Sequence, residues 1–385
     1  MSQSRKIIYL VTEDWYFWSH RLSLAEAARK QGHEVFVITN PGEFADRIVS
    51  KGFTLFPLAL HRSVGSPFRE LGAVIKLIRL YKGIKPDLVH HVALKPVILG
   101  SFAAWLAGVP HVVNAYTGLG HLFIFDSWTS RFFMSIVAPL MSVILKGKRF
   151  HSIVQNSDDE KQLLKLGLVN AKHVSLVRGS GVDTTEFKYS PEPVTDSPVV
   201  LFASRLLKDK GIIEFIEAAK LLKRNGTSAR VVVVGELDEA NPTSISKTEL
   251  NAWIDQGIIE WWGYRDDMGE VFRQVHIVCL PSYREGLPKV LLEAAACGRP
   301  VVTTDVPGCR DIVIDGINGF LVPAKDHVSL AEAIHRLIES PDLRKKLGSA
   351  GRKRVVENFE IDIVNSATIG LYNKLLLAQD QHDKY

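Results

Sequence analysis

Twelve short runs of β-branched and aromatic residues alternate with longer helical patterns along this 385-residue chain. No other feature restricts the fold as tightly. Parallel strands need a crossover of about a dozen residues or more between them, usually a helix, and this spacing supplies it throughout. The first series is IIYLV (7–11), EVFVIT (34–39), LVHHV (88–92), HVVNA (111–115), SIVQN (152–156) and VSLVRG (174–179). The second is VVLFAS (199–204), VVVVG (231–235), IIEWWG (258–263), IVCLP (277–281), VVTTD (301–305) and GFLVP (319–323). Between them lies TTEFKYSPEPVTDSP (184–198), whose three prolines and lack of apolar period predict an extended connector. The expected architecture is α/β: two doubly wound sheets in domains 1–190 and 191–385, with part of a C-terminal helix, 360–378, packing back on the first. Ligands of such sheets bind at the carboxyl ends of the strands, so two sheets facing each other would hold the site in a central cleft.

Composition narrows the class. Apolar residues make up 46% and charged residues 23%, as in a folded globular protein rather than a disordered one. Cys279, Cys297 and Cys309 have no metal-ligand spacing and are expected to be reduced packing residues of a cytosolic protein. The N-terminal apolar stretch before Thr12 is too short for a signal peptide or a membrane span. Net charge is uneven: residues 1–190 carry 23 Lys+Arg against 14 Asp+Glu, and the remainder carry 24 against 28. A basic first half points to an anionic ligand or surface there. No nucleic-acid-binding motif accompanies the charge, so nucleic acid is not expected as a partner and an anionic membrane surface is.

Neither first strand is followed by G-x-G-x-x-G, and no Walker A sequence occurs, so phosphate must be held differently. The richest segment is 280–311. After strand IVCLP comes a glycine-containing loop with Glu285, Gly286 and Leu287, then Pro288 at the start of a helix, where its missing N–H is harmless. The first-turn amides of that helix can receive a phosphate. Glu285 in the loop and Glu293 in the helix suit vicinal sugar hydroxyls. The alternative is compensation of the helix dipole by Glu285 and a solvated Glu293. The run of Leu and Ala around Glu293 predicts a partly buried carboxylate, which favours function. In ASRLLKDKG (203–211), Arg205 and Lys210 fall at a strand's carboxyl end. No D-x-D is present, so two cations are expected to neutralise a diphosphate where a metal otherwise would.

Together these segments resemble the C-terminal domain of the family 4 glycosyltransferases, two-domain enzymes of the GT-B fold built from Rossmann-like halves. Their E-x7-E motif matches Glu285 and Glu293, and their R…K pair matches Arg205 and Lys210. The resemblance implies that Arg205 and Lys210 hold the donor diphosphate. It gives the donor sugar to Glu285 and the backbone of Gly286, Leu287 and Pro288, and the ribose to Glu293. WWGYRDDM (261–268) is similar to the segment over the base, with Tyr264 and Arg265 nearest.

The resemblance continues into the first domain. DLVHHVALKP (87–96) is similar to a D-x-x-H…K stretch of relatives that build surface polysaccharides, giving Asp87, His90 and Lys95. NAYTGLGHLF (114–123) resembles their T-G-L-G loop, in which Gly118 and Gly120 let backbone approach a ligand, although tight-turn geometry explains the same glycines. The glycine pair usual after the first strand is replaced by Tyr16 and Phe17, which leaves His20 to take part of its role. Segment 128–145 reads either as a core helix or as an interfacial helix with a basic end, and helix 71–82 sets Lys76, Arg79 and Lys82 beside an apolar face.

The reading implied is a retaining, metal-independent enzyme with no cofactor. It moves a hexose or N-acetylhexosamine from a UDP-sugar to a polyprenyl diphosphate-linked saccharide, peripherally on the inner face of the cell membrane. A nucleotide-sugar epimerase of the same architecture and a non-catalytic sugar-nucleotide or lipid-binding protein are the alternatives.

Overall fold

The computed structural model describes residues 4–60, 67–119, 139–239 and 241–382. Gly120 and residues 128–138 of the apolar segment lie outside them. Two compact units result: residues 1–180 with 364–385, and residues 181–363.

The first unit carries a seven-stranded, wholly parallel sheet in the order β3-β2-β1-β4-β5-β6-β7. Its strands are β1 (Lys6–Glu13), β2 (Glu34–Asn40), β3 (Thr54–Pro57), β4 (Leu88–Val92), β5 (His111–Ala115), β6 (Phe150–Val154) and β7 (Val174–Leu176). The second unit carries six parallel strands in the order β10-β9-β8-β11-β12-β13. These are β8 (Val199–Ala203), β9 (Arg230–Val234), β10 (Glu260–Trp261), β11 (Ile277–Leu280), β12 (Val301–Thr304) and β13 (Gly319–Val322). Both sheets have the doubly wound, Rossmann-like order, in which the chain reverses direction once beside the first strand. Strands covered on both faces read as continuous apolar runs rather than alternating ones. VVLFA of β8 is buried at all five positions for this reason.

All twelve expected strands are present. β3 was not expected. It is a four-residue edge strand ending in Pro57, and both its brevity and its proline hide it from a periodicity search.

The unit boundary falls before the proline-rich segment, not within it. Phe187 sits in the core of the second unit, the Arg299 guanidinium donates to Ser190 Oγ (2.6 Å) and the carbonyl of Pro191 (2.9 Å), and Glu192 pairs with Arg344 (2.9 Å). Residues 184–198 are therefore built into that unit by specific contacts. In the helix Ile361–His382, residues from Val364 onward belong to the first unit, where Val364, Ile369, Leu371, Tyr372 and Leu376 join its core. Among the described residues no helix is long and apolar enough to cross a membrane.

Candidate functional site

In the second unit strand order reverses between β8 and β11, and the loops leaving these two strands carry most of the predicted residues. After β8 the chain passes Arg205 and makes a tight turn, Lys208–Lys210, before the helix Ile212–Arg224. Gly211 closes the turn at φ 78°. A Cβ there would lie 2.0 Å from the carbonyl oxygen of Pro281, so only glycine lets the two loops come this close. The join is then fastened: the Asp209 carbonyl accepts from Tyr283 N–H (2.9 Å) and from Ser282 Oγ (3.2 Å).

The loop after β12 presses from the other side. A Cβ on Gly308 would meet the carbonyl oxygens of Gly286 (2.5 Å) and Glu285 (2.8 Å). Held in this way, Glu285 Oε1 receives Lys210 Nζ at 2.6 Å, with the two side chains 11% and 19% exposed. Lys210 has three N–H donors, so this contact leaves others to turn toward a ligand. Arg205 is paired as well, with Nη1 2.7 Å from Asp238 Oδ2 in the loop after β9.

The helix Lys289–Ala296 starts directly after Pro288, its N-cap. Glu293 lies on its buried side at 8% exposure, as its apolar neighbours predicted. Burial raises its carboxyl above the ordinary carboxylate range, against the pull of Lys289, whose Nζ is 3.3 Å away on the same helix. Tyr264 and Arg265 follow the edge strand β10. Tyr264 is exposed, and Arg265 Nε donates to Asp267 Oδ1 at 2.6 Å. The arrangement thus gathers Arg205, Lys210 and Glu285 around the switch point, with helix amides and Glu293 behind. Sequence reasoning missed Asp238 and Lys289. The i,i+4 spacing to Glu293 was a legible signal for Lys289.

The expected residues of the first unit do not all converge. Asp87 sits before β4 at the amino end of the sheet, where it accepts from Lys6 N–H (2.8 Å) and pairs with Arg5 (3.1 Å); its role is structural. Lys95 pairs with Glu70 at 2.6 Å, tying the helix Leu94–Ala107 to the helix Pro67–Ile84. Gly118 has φ 122°, a conformation that favours glycine at this turn. Tyr16 and Phe17 belong to the helix Asp14–His20, which begins immediately after β1. His20 stacks on Tyr16 with ring centroids 4.2 Å apart, and its Nδ1 is 2.6 Å from Ser19 Oγ.

His90 and His91 leave β4 on opposite faces, as successive strand residues must. His91 is saturated by Tyr81 Oη (3.0 Å) and Asn114 Oδ1 (2.8 Å), and burial lowers its pKa to about 4. His90 differs: Nδ1 bonds Tyr372 Oη, while Nε2 is buried without a partner. Just beyond, Ala93 adopts φ 73°, ψ 164°, a region nearly reserved for glycine. Such backbone costs about 1–3 kcal/mol and collects at functional sites.

Comparison with known proteins gives the family. The family described as "Glycosyl transferases group 1" matches residues 183–354, and the one described as "Glycosyl transferase 4-like" matches residues 6–153. This chain is a family 4 glycosyltransferase. A relative from Campylobacter jejuni, the N,N'-diacetylbacillosaminyl-diphospho-undecaprenol alpha-1,3-N-acetylgalactosaminyltransferase, is 27% identical across 92% of this chain and 95% of its own. The Escherichia coli UDP-Gal:alpha-D-GlcNAc-diphosphoundecaprenol alpha-1,3-galactosyltransferase is 27% identical across 83% of each chain. The crystal structure of Anabaena HepE in complex with UDP and glucose is similar in fold, with a TM-score of 0.78 at 20% identity, covering 96% of this chain and 99% of that one. The glycosyltransferase therefore has the GT-B fold, two doubly wound Rossmann-like units, that its sequence implied.

Proposed function

We propose that this glycosyltransferase transfers a hexose or N-acetylhexosamine from a UDP-sugar to a polyprenyl diphosphate-linked saccharide, with retention at the anomeric carbon, in surface glycan synthesis. The observation that carries the reading is the cluster of Arg205, Lys210 and Glu285 at the β8/β11 switch point, where doubly wound sheets bind nucleotides. In this reading Lys210 and Arg205 turn toward the diphosphate as negative charge grows on the leaving group. The first-turn amides of the helix Lys289–Ala296 add fixed dipoles, so stabilisation is greatest in the transition state. Glu285 orients the sugar and Glu293 the ribose. The two cations take the place of a metal, and the leaving diphosphate helps remove the acceptor proton.

The acceptor class rests on the names of the two relatives, both of which act on diphospho-undecaprenol saccharides. A surface feature supports it. Along the helix Pro67–Ile84, Phe68 (85% exposed), Leu71 and Ile75 share the exposed face with Lys76, Arg79 and Lys82. Apolar side chains followed by basic ones suit shallow insertion into an anionic leaflet, which supports a peripheral position on the cytoplasmic side of the membrane.

The test is transfer itself. Purified protein is incubated with a panel of UDP-sugars and synthetic polyprenyl diphosphate saccharides, products are weighed by mass spectrometry, and the new anomeric centre is read by NMR. Transfer to soluble glycans with none to any lipid-linked acceptor would overturn the acceptor assignment. An inverted centre would overturn retention. Epimerised UDP-sugar with no acceptor present would make the protein an epimerase.

A further inference from the structure

The first unit holds a buried cation that no carboxylate among the described residues pairs with. Arg21, at the end of the helix Asp14–His20, is 5% exposed. Its Nη1 donates to the carbonyl of His20 at 2.9 Å, and its Nε is buried without a partner. Among the described residues no carboxylate pairs with it. Other buried arginines of this protein are treated differently. Arg344 donates to Glu192 and to the carbonyls of Leu337 and Ile338, and Arg299 donates through Nε and Nη2 to the carbonyls of Phe272 and Pro191 and to Ser190 Oγ. A dehydrated guanidinium left short of partners costs free energy, and a fold keeps one only where something else repays it.

Arg21 lines a small pocket with His20, His90, Ser180, Asn365 and Thr368, all of the first unit. His90 is 1% exposed. Tyr372 Oη donates to Tyr9 Oη at 3.2 Å, so its oxygen accepts the Nδ1–H of His90. The unpartnered Nε2 then keeps a free lone pair on a ring that lines the pocket. Burial, and after it the charge of Arg21, pushes this imidazole's pKa well below its ordinary value, so His90 stays neutral beside the cation.

We propose that this pocket is a subsite for a phosphate-bearing ligand, with a P–O⁻ oxygen against Arg21 and an O–H of the same ligand donating to His90 Nε2. Phosphate chemistry supplies both groups, the O–H on the phosphate itself or on an adjoining sugar. The subsite stands on Arg21 and His90 and does not require a lipid-linked acceptor. Its ligand has three possible sources with one chemistry: a free phosphate, the diphosphate of an acceptor, or a nucleotide.

The Nε–H resonance of Arg21, assigned in the full-length protein by its loss in Arg21→Gln, gives a local readout. Inorganic phosphate, pyrophosphate, a short polyprenyl diphosphate and UDP are titrated separately, in a Lys210→Ala background that weakens binding in the second unit. A saturable shift of this resonance is expected. The probe that saturates it at the lowest concentration names the source: the polyprenyl diphosphate for an acceptor, inorganic phosphate or pyrophosphate for a free anion, UDP for a nucleotide. No shift with any of the four at millimolar concentration would overturn the proposal. Melting separates a binding site from a structural strut. In phosphate-free buffer Arg21→Gln should melt no lower than its parent, and the tightest probe should raise the Tm of the parent but not of the variant. A variant that melts well below a parent indifferent to every probe would make Arg21 a strut and end the idea.

Discussion

Lys210→Ala perturbs the fold and the reaction at once, and the structure allows the two effects to be separated. Lys210 Nζ lies 2.6 Å from Glu285 Oε1, with both side chains largely withdrawn from water. Its removal strands a mostly dehydrated carboxylate. Hydrogen bonds to charged groups contribute about 1.5–3 kcal/mol, and the residual solvent contact of this pair sets the loss at the lower end, about 1–2 kcal/mol. At about 2–4 °C per kcal/mol for a unit of this size, Tm should fall by roughly 2–8 °C. The catalytic loss should be larger. A donor aimed at charge that develops in the transition state is worth about 2.7–4 kcal/mol, or ~10²–10³ in kcat/KM. The second substitution, Glu285→Gln, removes the stranded charge. Lys210→Ala/Glu285→Gln should therefore recover most of the lost Tm while kcat/KM stays as low as in Lys210→Ala or falls further. Thermal unfolding is compared with UDP-sugar turnover measured below every Tm in the set. If turnover returns together with Tm in the double variant, Lys210 serves the fold alone and the assigned grip on the diphosphate is wrong. Wild-type kcat/KM in Lys210→Ala would be equally damaging.

Glu293 gives a pH-dependent expectation. Burial raises its carboxyl pKa in the folded state, so the stability it contributes is present below the unfolded value, about 4.3, and is lost as pH rises through the folded one. Glu293→Gln should then raise Tm at neutral pH and flatten the fall in stability above pH ~4.3, while weakening UDP-sugar binding; a lower Tm at neutral pH contradicts this. Turnover should persist in excess chelator, and complete loss restored by magnesium or manganese would show that a metal neutralises the diphosphate. Serine at Phe68, Leu71 and Ile75 should reduce sedimentation with anionic vesicles without changing UDP-sugar affinity. Wild-type protein that ignores every vesicle composition would remove the membrane-facing role of that helix. Cys279, Cys297 and Cys309 are buried, and burial raises the Cys297 and Cys309 thiols to about 11 and about 12, so alkylation of native protein should be slow until it unfolds.

What could be read from the sequence divides along physical lines. Strands covered on both faces announce themselves as apolar runs, which is why β4 and β5 match their predicted bounds residue for residue. Even there local pattern has limits. IIEWWG contributes only Glu260 and Trp261 to β10, because Trp262 N–H and Gly263 C=O bond to Val233 and Gly235 outside the ladder. The charged residues expose a deeper limit. Arg205, Lys210, Glu285 and Glu293 stand out in the sequence as candidates because each follows a strand or sits one turn into a helix, positions that topology fixes. Their partners were not, apart from Lys289. Asp238 lies 33 residues beyond Arg205 and Glu285 lies 75 beyond Lys210, separations that depend on loop closure and carry no periodic signal. Nor does any spacing join His90 to Tyr372, 282 residues away. A charge acquires its function from how far it is dehydrated and from what neutralises it. Lys95 and Arg21 illustrate both outcomes. Each is a cation near the carboxyl end of a first-unit strand, where a ligand-facing residue is expected. Lys95 meets Glu70 and is neutralised within the fold, whereas Arg21 is buried and pairs with no carboxylate among the described residues. From sequence the two look alike; only the fold tells them apart.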